Sequence, residues 1–269
     1  MQNILKIIDE NYEKSSLKEQ MEDASYYSIR NFQRLFKKEF QETLRSYKKR
    51  LRLEVAYKKM VYTNDAIVDI ATDVGYESVA AFSKAFKIQF KISPSNARKN
   101  KKNIFNNFIE KATNYSDEIY YEIVFKSSID IFYKLILTNN YNNDVIGITW
   151  KSIEDDTIKY KNVNSFGLIV DQPLISDSTK CRYEACVDVN PNKKEYLTKQ
   201  IFGKKYIKFI HKGSYTTIED TYRQIYYNWM YYLDFEIDAS PIVECYKNNA
   251  TNSNSENDFL TEILFPLKE

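Results

Sequence analysis

The sequence predicts two domains: an all-α double helix-turn-helix domain, then an α+β domain built on an antiparallel sheet. Three observations lead there. First, two segments share one inner phenylalanine spacing, SIRNFQRLFKKEF (residues 28–40) and ESVAAFSKAFKIQF (residues 77–90), and a long helical stretch joins them. Second, charge is segregated: residues 1–103 hold 21 Lys/Arg and 13 Asp/Glu, leaving 18 basic and 24 acidic residues for the rest. The net +2 of the 269-residue chain therefore conceals a basic front part and an acidic remainder, which points to a polyanionic partner for the first alone. Third, after Ile119 the pattern changes from helical periodicity to short runs of β-branched and aromatic residues.

In the first domain, Leu17, Met21 and Ala24 suit a short helix, and Ser28 is placed to cap the next one. There Phe32, Leu35, Phe36 and Phe40 fall on one face, with Arg30, Gln33, Arg34 and Lys37 opposite. Residues 43–62 read as one long helix with two apolar seams, Leu44/Tyr47/Leu51/Val55 and Leu53/Ala56/Met60, as a bar between two small bundles requires. Arg45, Lys48, Lys49, Arg50 and Arg52 crowd one end of it, and one or two of them are expected on a nucleic-acid backbone. Asp65 is placed to cap a helix carrying Ile67, Ile70, Ala71 and Val74, and Gly75 to end it. Phe82, Phe86 and Phe90 repeat the aromatic anchor, leaving Val79, Ala80, Ser83, Lys84 and Lys87 outward, and Ser93-Pro94 closes the unit. A helix anchored by aromatics behind, with Arg, Gln and Lys in front, has the form of a DNA-reading helix.

Residues 101–118 are polar and read as a linker with a helical turn or two. Beyond it, IYYEIVF, IDIFYKLIL, FGLIV, RYEACVDV, YIKFIH, PIVECY and LTEILFP are strand candidates, and helical periodicity returns at residues 143–159 and 217–233. Two helices among about seven strands make an α+β domain over residues 119–269.

Several chemistries are excluded. The five glycines are too scattered for a phosphate-cradling loop. His211 is the sole histidine, and Cys181 and Cys186 have opposite parity on one strand, so no metal or other cofactor is expected. The sparse, odd set of three cysteines, with no cleavable signal pattern and no apolar run long enough to span a bilayer, predicts a cytoplasmic protein without a membrane partner.

Residues 16–98, through FQRLFKKEF, YKKRLRLEVAYKKM and AIVDIATDVGYESVAAFSKAFKIQFKISP, resemble the AraC/XylS family of bacterial transcription regulators. The resemblance implies seven helices in two helix-turn-helix units over residues 1–100, with the third and sixth as readers. Mapped by motif, these present Arg30, Gln33 and Arg34, then Val79, Ala80, Ser83 and Lys84, to double-stranded operator DNA; Lys37, Lys48 and Lys87 join them as basic contacts. Arg pairs with guanine and Gln with adenine, whereas Val and Ala pack on thymine methyls, so the first reader supplies most direct specificity. Tyr26 stands where the family usually has glycine.

Residues 119–269 are similar to the GyrI-like, effector-binding domain family, through RYEACVDV, FGKKYIKFIHKGSYTTIEDTYRQIYYNW, PIVECY and TEILFP. That resemblance implies two strand–helix–strand units about a pseudo-twofold cleft that takes lipophilic, frequently cationic molecules. Glu244, a carboxylate in an otherwise apolar strand, is the leading cation-pairing candidate, with Arg182 or Lys208 as the internal partners that would explain it otherwise; Glu262 is second. Trp150, Tyr183, Tyr206, Tyr222, Tyr226 and Trp229 are the aromatic candidates for its walls. Reader first and sensor second reverses the order commoner among AraC-type regulators. The expected function is a non-enzymatic DNA-binding regulator sensing a small hydrophobic or cationic effector, with RNA polymerase as a further candidate partner. The alternatives are a small-molecule hydrolase using Glu244 and a tyrosine, or a protein-interaction module without ligand.

Overall fold

A computed structural model describes residues 12–13, 28–110, 119–231, 234–248 and 255–269, and the chain divides into two compact units, residues 1–101 and 102–269. The short helix expected at Leu17–Ala24 and the turn at Tyr26 lie outside the described residues.

The first unit contains α1 (Ile29–Phe40), α2 (Leu44–Tyr62), α3 (Ile67–Asp73), α4 (Val79–Phe90) and α5 (Pro94–Lys99). It is built twice on one plan. Phe36 and Phe40 of α1 set their rings edge-on to Tyr47 of α2 at 5.4 and 5.9 Å. Phe86 and Phe90 of α4 do the same to Tyr57 at 5.2 and 4.8 Å. Tyr47 and Tyr57 are ten positions apart, roughly 15 Å along the helix. Both outer helices end in a left-handed residue, Gln41 and Lys91, and both next helices start on a hydroxyl cap, Thr43 to Ser46 N–H and Ser93 to Asn96 N–H.

Local details depart from expectation. Ser28 occupies the cap of α1 without a side-chain bond, and Ala66, not Asp65, caps α3; the Asp65 N–H is taken by Thr63 Oγ1 instead. Gly75 follows α3 at φ +81°, where a Cβ would strike the main chain of Glu13.

The second unit opens with α6 (Asn103–Ile109), a short helix within the residues read as the linker. Its Phe105 is fully buried, stacked on Tyr226 at 4.7 Å, and Arg223 Nε donates to the Phe108 carbonyl at 3.2 Å. Then follow β1 (Glu122–Lys126), β2 (Ile129–Thr138), α7 (Asn143–Thr157), β3 (Ser165–Ile169), β4 (Cys181–Val187), β5 (Leu197–Ile201), β6 (Lys204–Lys212), α8 (Ile218–Tyr231), β7 (Ile242–Asn248) and β8 (Leu260–Pro266). The eight strands form one antiparallel sheet in the order β1-β6-β8-β7-β3-β4-β2-β5. β5 was not foreseen in the sequence.

This order carries an internal symmetry. β2-α7-β3-β4 and β6-α8-β7-β8 are the same unit twice, and β3 pairs with β7 at the seam between them. The connections also force curvature. Six strand spacings separate β5 from β6, roughly 29 Å if flat. Only Phe202 and Gly203 bridge them, a reach of about 10 Å. β1 and β2 are similarly distant and joined by Ser127 and Ser128. The sheet therefore curls until its ends meet, where Gly203 N–H donates to Lys126 O at 2.9 Å. Phe202 touches both Phe166 and Tyr206, three strands apart, so one face closes on itself while α7 and α8 cover the other.

Two glycines give opposed stability predictions. Gly167, on β3 at the seam, lies under the phenol oxygens of Tyr183 and Tyr246, which a Cβ would displace. Gly167→Ala is expected to lower stability by about 1–3 kcal/mol in thermal unfolding. Gly147, inside α7, has no heavy atom within 4 Å of its built Cβ. Gly147→Ala is expected to raise stability by about 0.5–1 kcal/mol in the same assay.

Candidate functional site

The seam between the two halves brings together Gly167, Glu244, Tyr246 and Tyr183 on the helix-covered face of the sheet. Register makes this necessary: Gly167 sits opposite Glu244 on β7 and opposite Ala185 on β4, two residues from Tyr183. α8 adds Tyr222 and α7 adds Trp150. Glu244 is 6% exposed. Tyr222 Oη donates to its Oε1 at 2.8 Å and Tyr246 Oη to its Oε2 at 2.6 Å. Because Tyr246 commits its proton to the carboxylate, Tyr183 donates to Tyr246 at 2.9 Å, and Trp150 Nε1–H donates to Tyr183 at 3.0 Å. Donors drawn from both halves thus point one way, toward one carboxylate, in a chain whose members polarise one another. Tyr215 closes the group, its ring 5.4 Å from that of Tyr246, as does Trp150 at 5.5 Å.

Neither internal cation proposed for Glu244 reaches it. Arg182 binds Asp171, through Nε at 2.9 Å and an NH2 contact at 2.5 Å, and Lys208 pairs with Glu122 at 2.5 Å. Among the described residues Glu244 has hydrogen bonds from two phenols and no ion pair. Burial raises its pKa, and the bonds from Tyr246 and Tyr222 oppose that rise. The same burial, with the carboxylate beside them, pushes the Tyr222 and Tyr246 hydroxyls well up, so both stay protonated donors.

Three sequence candidates stand elsewhere. Tyr206 and Glu262 face the self-closed side of the sheet: Tyr206 contacts Phe202, with its hydroxyl pushed up to about 12 by burial, and Glu262 pairs with Lys126 at 3.0 Å. Trp229 donates to the Phe235 carbonyl and lies edge-on to Phe105 of α6. Tyr226 is intermediate: it bonds Gln172 at 2.7 Å and its ring lies 6.4 Å from Tyr222. Tyr215, unforeseen in the sequence, precedes α8 in a short turn; the signal available was its place in KGSYTTIED, beside Gly213.

In the first unit the reader faces are sorted as the phenylalanine spacing requires. Phe32, Phe36, Phe82 and Phe86 are buried, whereas Arg30, Gln33, Arg34, Lys37, Ala80, Lys84 and Lys87 are exposed; Val79 is 38% exposed and Ser83 half-buried. Arg34 is held by Asn31 at 3.0 Å. The bar's cations are mostly internal. Arg50 bonds Glu42 at 2.7 Å and Glu54 at 3.2 Å, and Arg52 donates to the carbonyls of Tyr12, Glu13 and Gly75. Lys48 is half-buried beside Arg52 and Glu13, its pKa lowered first by burial and then by Arg52. Arg45 and Lys49 remain exposed.

His211 is structural: Nε2–H donates to the Ser214 carbonyl at 3.1 Å and Nδ1 accepts from Thr221 at 2.8 Å. No cluster of His, Cys, Asp and Glu able to hold a metal occurs among the described residues, and no helix among them is long and apolar enough to cross a membrane.

Comparison with known proteins agrees with both halves. Residues 121–268 match the GyrI-like small molecule binding domain, and residues 22–100 match a helix-turn-helix domain. The chain is 35% identical to the Transposon Tn10 TetD protein of Escherichia coli over 101 residues, 38% of this chain and 73% of that one. It is 34% identical to Regulatory protein SoxS of Escherichia coli (strain K12) over 98 residues, 36% of this chain and 92% of that one. The crystal structure of the EcmrR C-terminal domain is similar at 17% identity, covering 56% of this chain and 98% of that one, with a TM-score of 0.47. The chain belongs to the GyrI-like family and carries that small-molecule-binding domain behind an AraC-type DNA-binding domain, which makes it a transcription regulator.

Proposed function

We propose that the GyrI-like domain binds a small hydrophobic cation whose charge is met by Glu244, and that binding alters DNA affinity or contact with RNA polymerase. One observation carries this reading: a carboxylate buried among aromatic rings, bonded only by phenols, with no cation beside it among the described residues. A buried charge without counter-charge is costly, and a ligand cation removes that cost. Trp150, Tyr215 and Tyr246 supply the flat apolar surfaces and negative ring faces that such a ligand stacks on. Tyr183 and Tyr222 hold the carboxylate and its donors in place. Tyr206, Glu262 and Trp229 are left out of this site.

In the first domain, α1 and α4 enter neighbouring major-groove segments of one asymmetric operator, bound by a monomer. Arg30, Gln33 and Arg34 read base edges; Val79 and Ala80 meet thymine methyls; Ser83, Lys37, Lys84 and Lys87 serve the backbone. Arg50 and Arg52, engaged internally, do not take part. The protein is not an enzyme in this reading. Turnover of a reactive electrophile that disappears in Glu244→Gln would assign the hydrolase alternative instead.

Four outcomes are expected. Arg34→Ala weakens binding to a selected operator by about 1–3 kcal/mol and relaxes preference at one position, read by titration against operator variants. Lys37→Ala weakens all duplexes alike and lowers the log–log salt slope by about one. Tetraphenylphosphonium, titrated calorimetrically into the full chain, loses affinity as pH falls through the raised Glu244 pKa, because the protonated acid no longer offers a charge; Glu244→Gln binds weakly at every pH. The same raised pKa makes the unliganded domain more stable at low pH, with that increment lost as pH rises through it, and Glu244→Gln removes this dependence.

A further inference from the structure

α7 carries a second carboxylate toward the seam. Along this helix Ile146, Trp150, Ile153 and Thr157 recur on one face, and Ile153 is buried against Tyr183 and Ala185. One flank of that stripe holds Ser152 and Asp156. There Lys134 of β2 donates to Ser152 at 3.0 Å and to Asp156 at 3.1 Å, and Tyr196, just before β5, donates to Asp156 at 2.8 Å. β2 and β5 lie on the far side of β4 from the β3–β7 seam, so that flank faces away from the seam. At 100° per residue, Gly147 and Glu154 fall on the opposite flank, facing the β3–β7 seam.

Glu154 lies one helical turn beyond Trp150, whose ring touches Tyr246. Burial raises the Tyr215 hydroxyl pKa, the charge of Glu244 adds to it, and that of Glu154 adds last, which puts Glu154 within electrostatic reach of this ring. Glu154 is exposed, and its own pKa is raised, first by partial desolvation and then by Asp155, with Lys151 opposing. No hydrogen bond to its carboxylate and no ion pair engages Glu154 among the described residues, in contrast to Asp156 on the other flank. Gly147, on the same flank, leaves open space where any other residue would place a side chain.

We infer that Glu154 is a specificity-determining residue of the effector site, and that the site takes a ligand with two cationic centres joined by a flat apolar body. One centre pairs with Glu244, the body stacks on Trp150, Tyr215 and Tyr246, and the second centre meets Glu154 at the rim. This rests on the reading of Glu244 as a cation site.

The test uses two dyes that share one phenanthridinium body: ethidium, with a single charge, and propidium, with a second quaternary ammonium on a short arm. Binding to the full chain without DNA is measured by fluorescence at low ionic strength for wild type, Glu154→Gln and Glu244→Gln. Wild type is expected to prefer propidium by roughly three- to fivefold, the size of one half-exposed ion pair. Glu154→Gln brings that ratio to about one with ethidium binding unchanged, and Glu244→Gln weakens both dyes. Added salt shrinks the propidium preference before it affects ethidium. If Glu154→Gln keeps the ratio, or weakens both dyes equally, the role of Glu154 is overturned while a loss in Glu244→Gln leaves the cation site standing. If wild type binds neither dye, or Glu244→Gln binds both normally, the cation site falls and the inference with it.

Discussion

Keeping a carboxylate dry at the junction of two repeated half-domains is the constraint from which the second unit follows. Removing Glu244 from water costs several kcal/mol unless each lone pair is met. Donors converge on it from three directions: Tyr222 comes from α8, Tyr246 from its own strand, and Tyr183 from the other half by way of Tyr246. Two phenols can approach one point of a sheet only where a strand lacks a side chain, and Gly167 supplies that gap. Antiparallel pairing of β3 with β7 then sets Gly167 directly opposite Glu244. A one-residue slip would send Glu244 to the self-closed face and turn Cys245 and Val243 to the helix-covered face in its place, so the seam's register and the site's chemistry are one requirement.

The same rings connect the carboxylate to the start of the domain. Tyr222 lies against Tyr226, and Tyr226 stacks on Phe105 of α6, the helix through which the chain enters this unit. Arg223, between the two tyrosines in sequence, fastens α6 by a bond to the Phe108 carbonyl and by its guanidinium 5.0 Å over the Phe108 ring. α8 therefore presents one side to the site and another to α6. Spatial continuity is not coupling, which requires two states with different ligand affinities.

What could be read in the sequence follows the range of each signal. The phenylalanine repeats are local, i to i+4, and their burial depends on the helix alone once a partner such as Tyr47 or Tyr57 is supplied. Glu244 was legible as a charge inside an apolar strand. Which aromatics join it was not, because strand parity fixes alternation but not which face becomes the site. Tyr206 and Glu262 are separated from Glu244 by parity in β6 and β8, and only the pairing register reveals it. β5 escaped notice because LTKQI is an edge strand with polar residues at its centre. α6 was obscured by the lysines that precede it and by its own asparagines, although Phe105 and Ile109 carry a helical spacing and are both buried.

Charge shows the same limit from another side. The basic front segment points to a polyanionic partner, yet its arginines divide into two populations. Arg50 and Arg52 are spent inside: one joins two carboxylates across the start of α2, the other ties three carbonyls and so fixes the entry of the chain to the turn at Gly75. Arg30 and Arg34 project from a helix whose opposite face is occupied by phenylalanine. A guanidinium offers five donors in a planar fork, equally suited to stitching main-chain oxygens and to reading guanine. What decides between those uses is whether protein oxygens surround it. Net charge counts both populations alike, whereas the aromatic anchor behind α1 and α4 selects the one left facing outward.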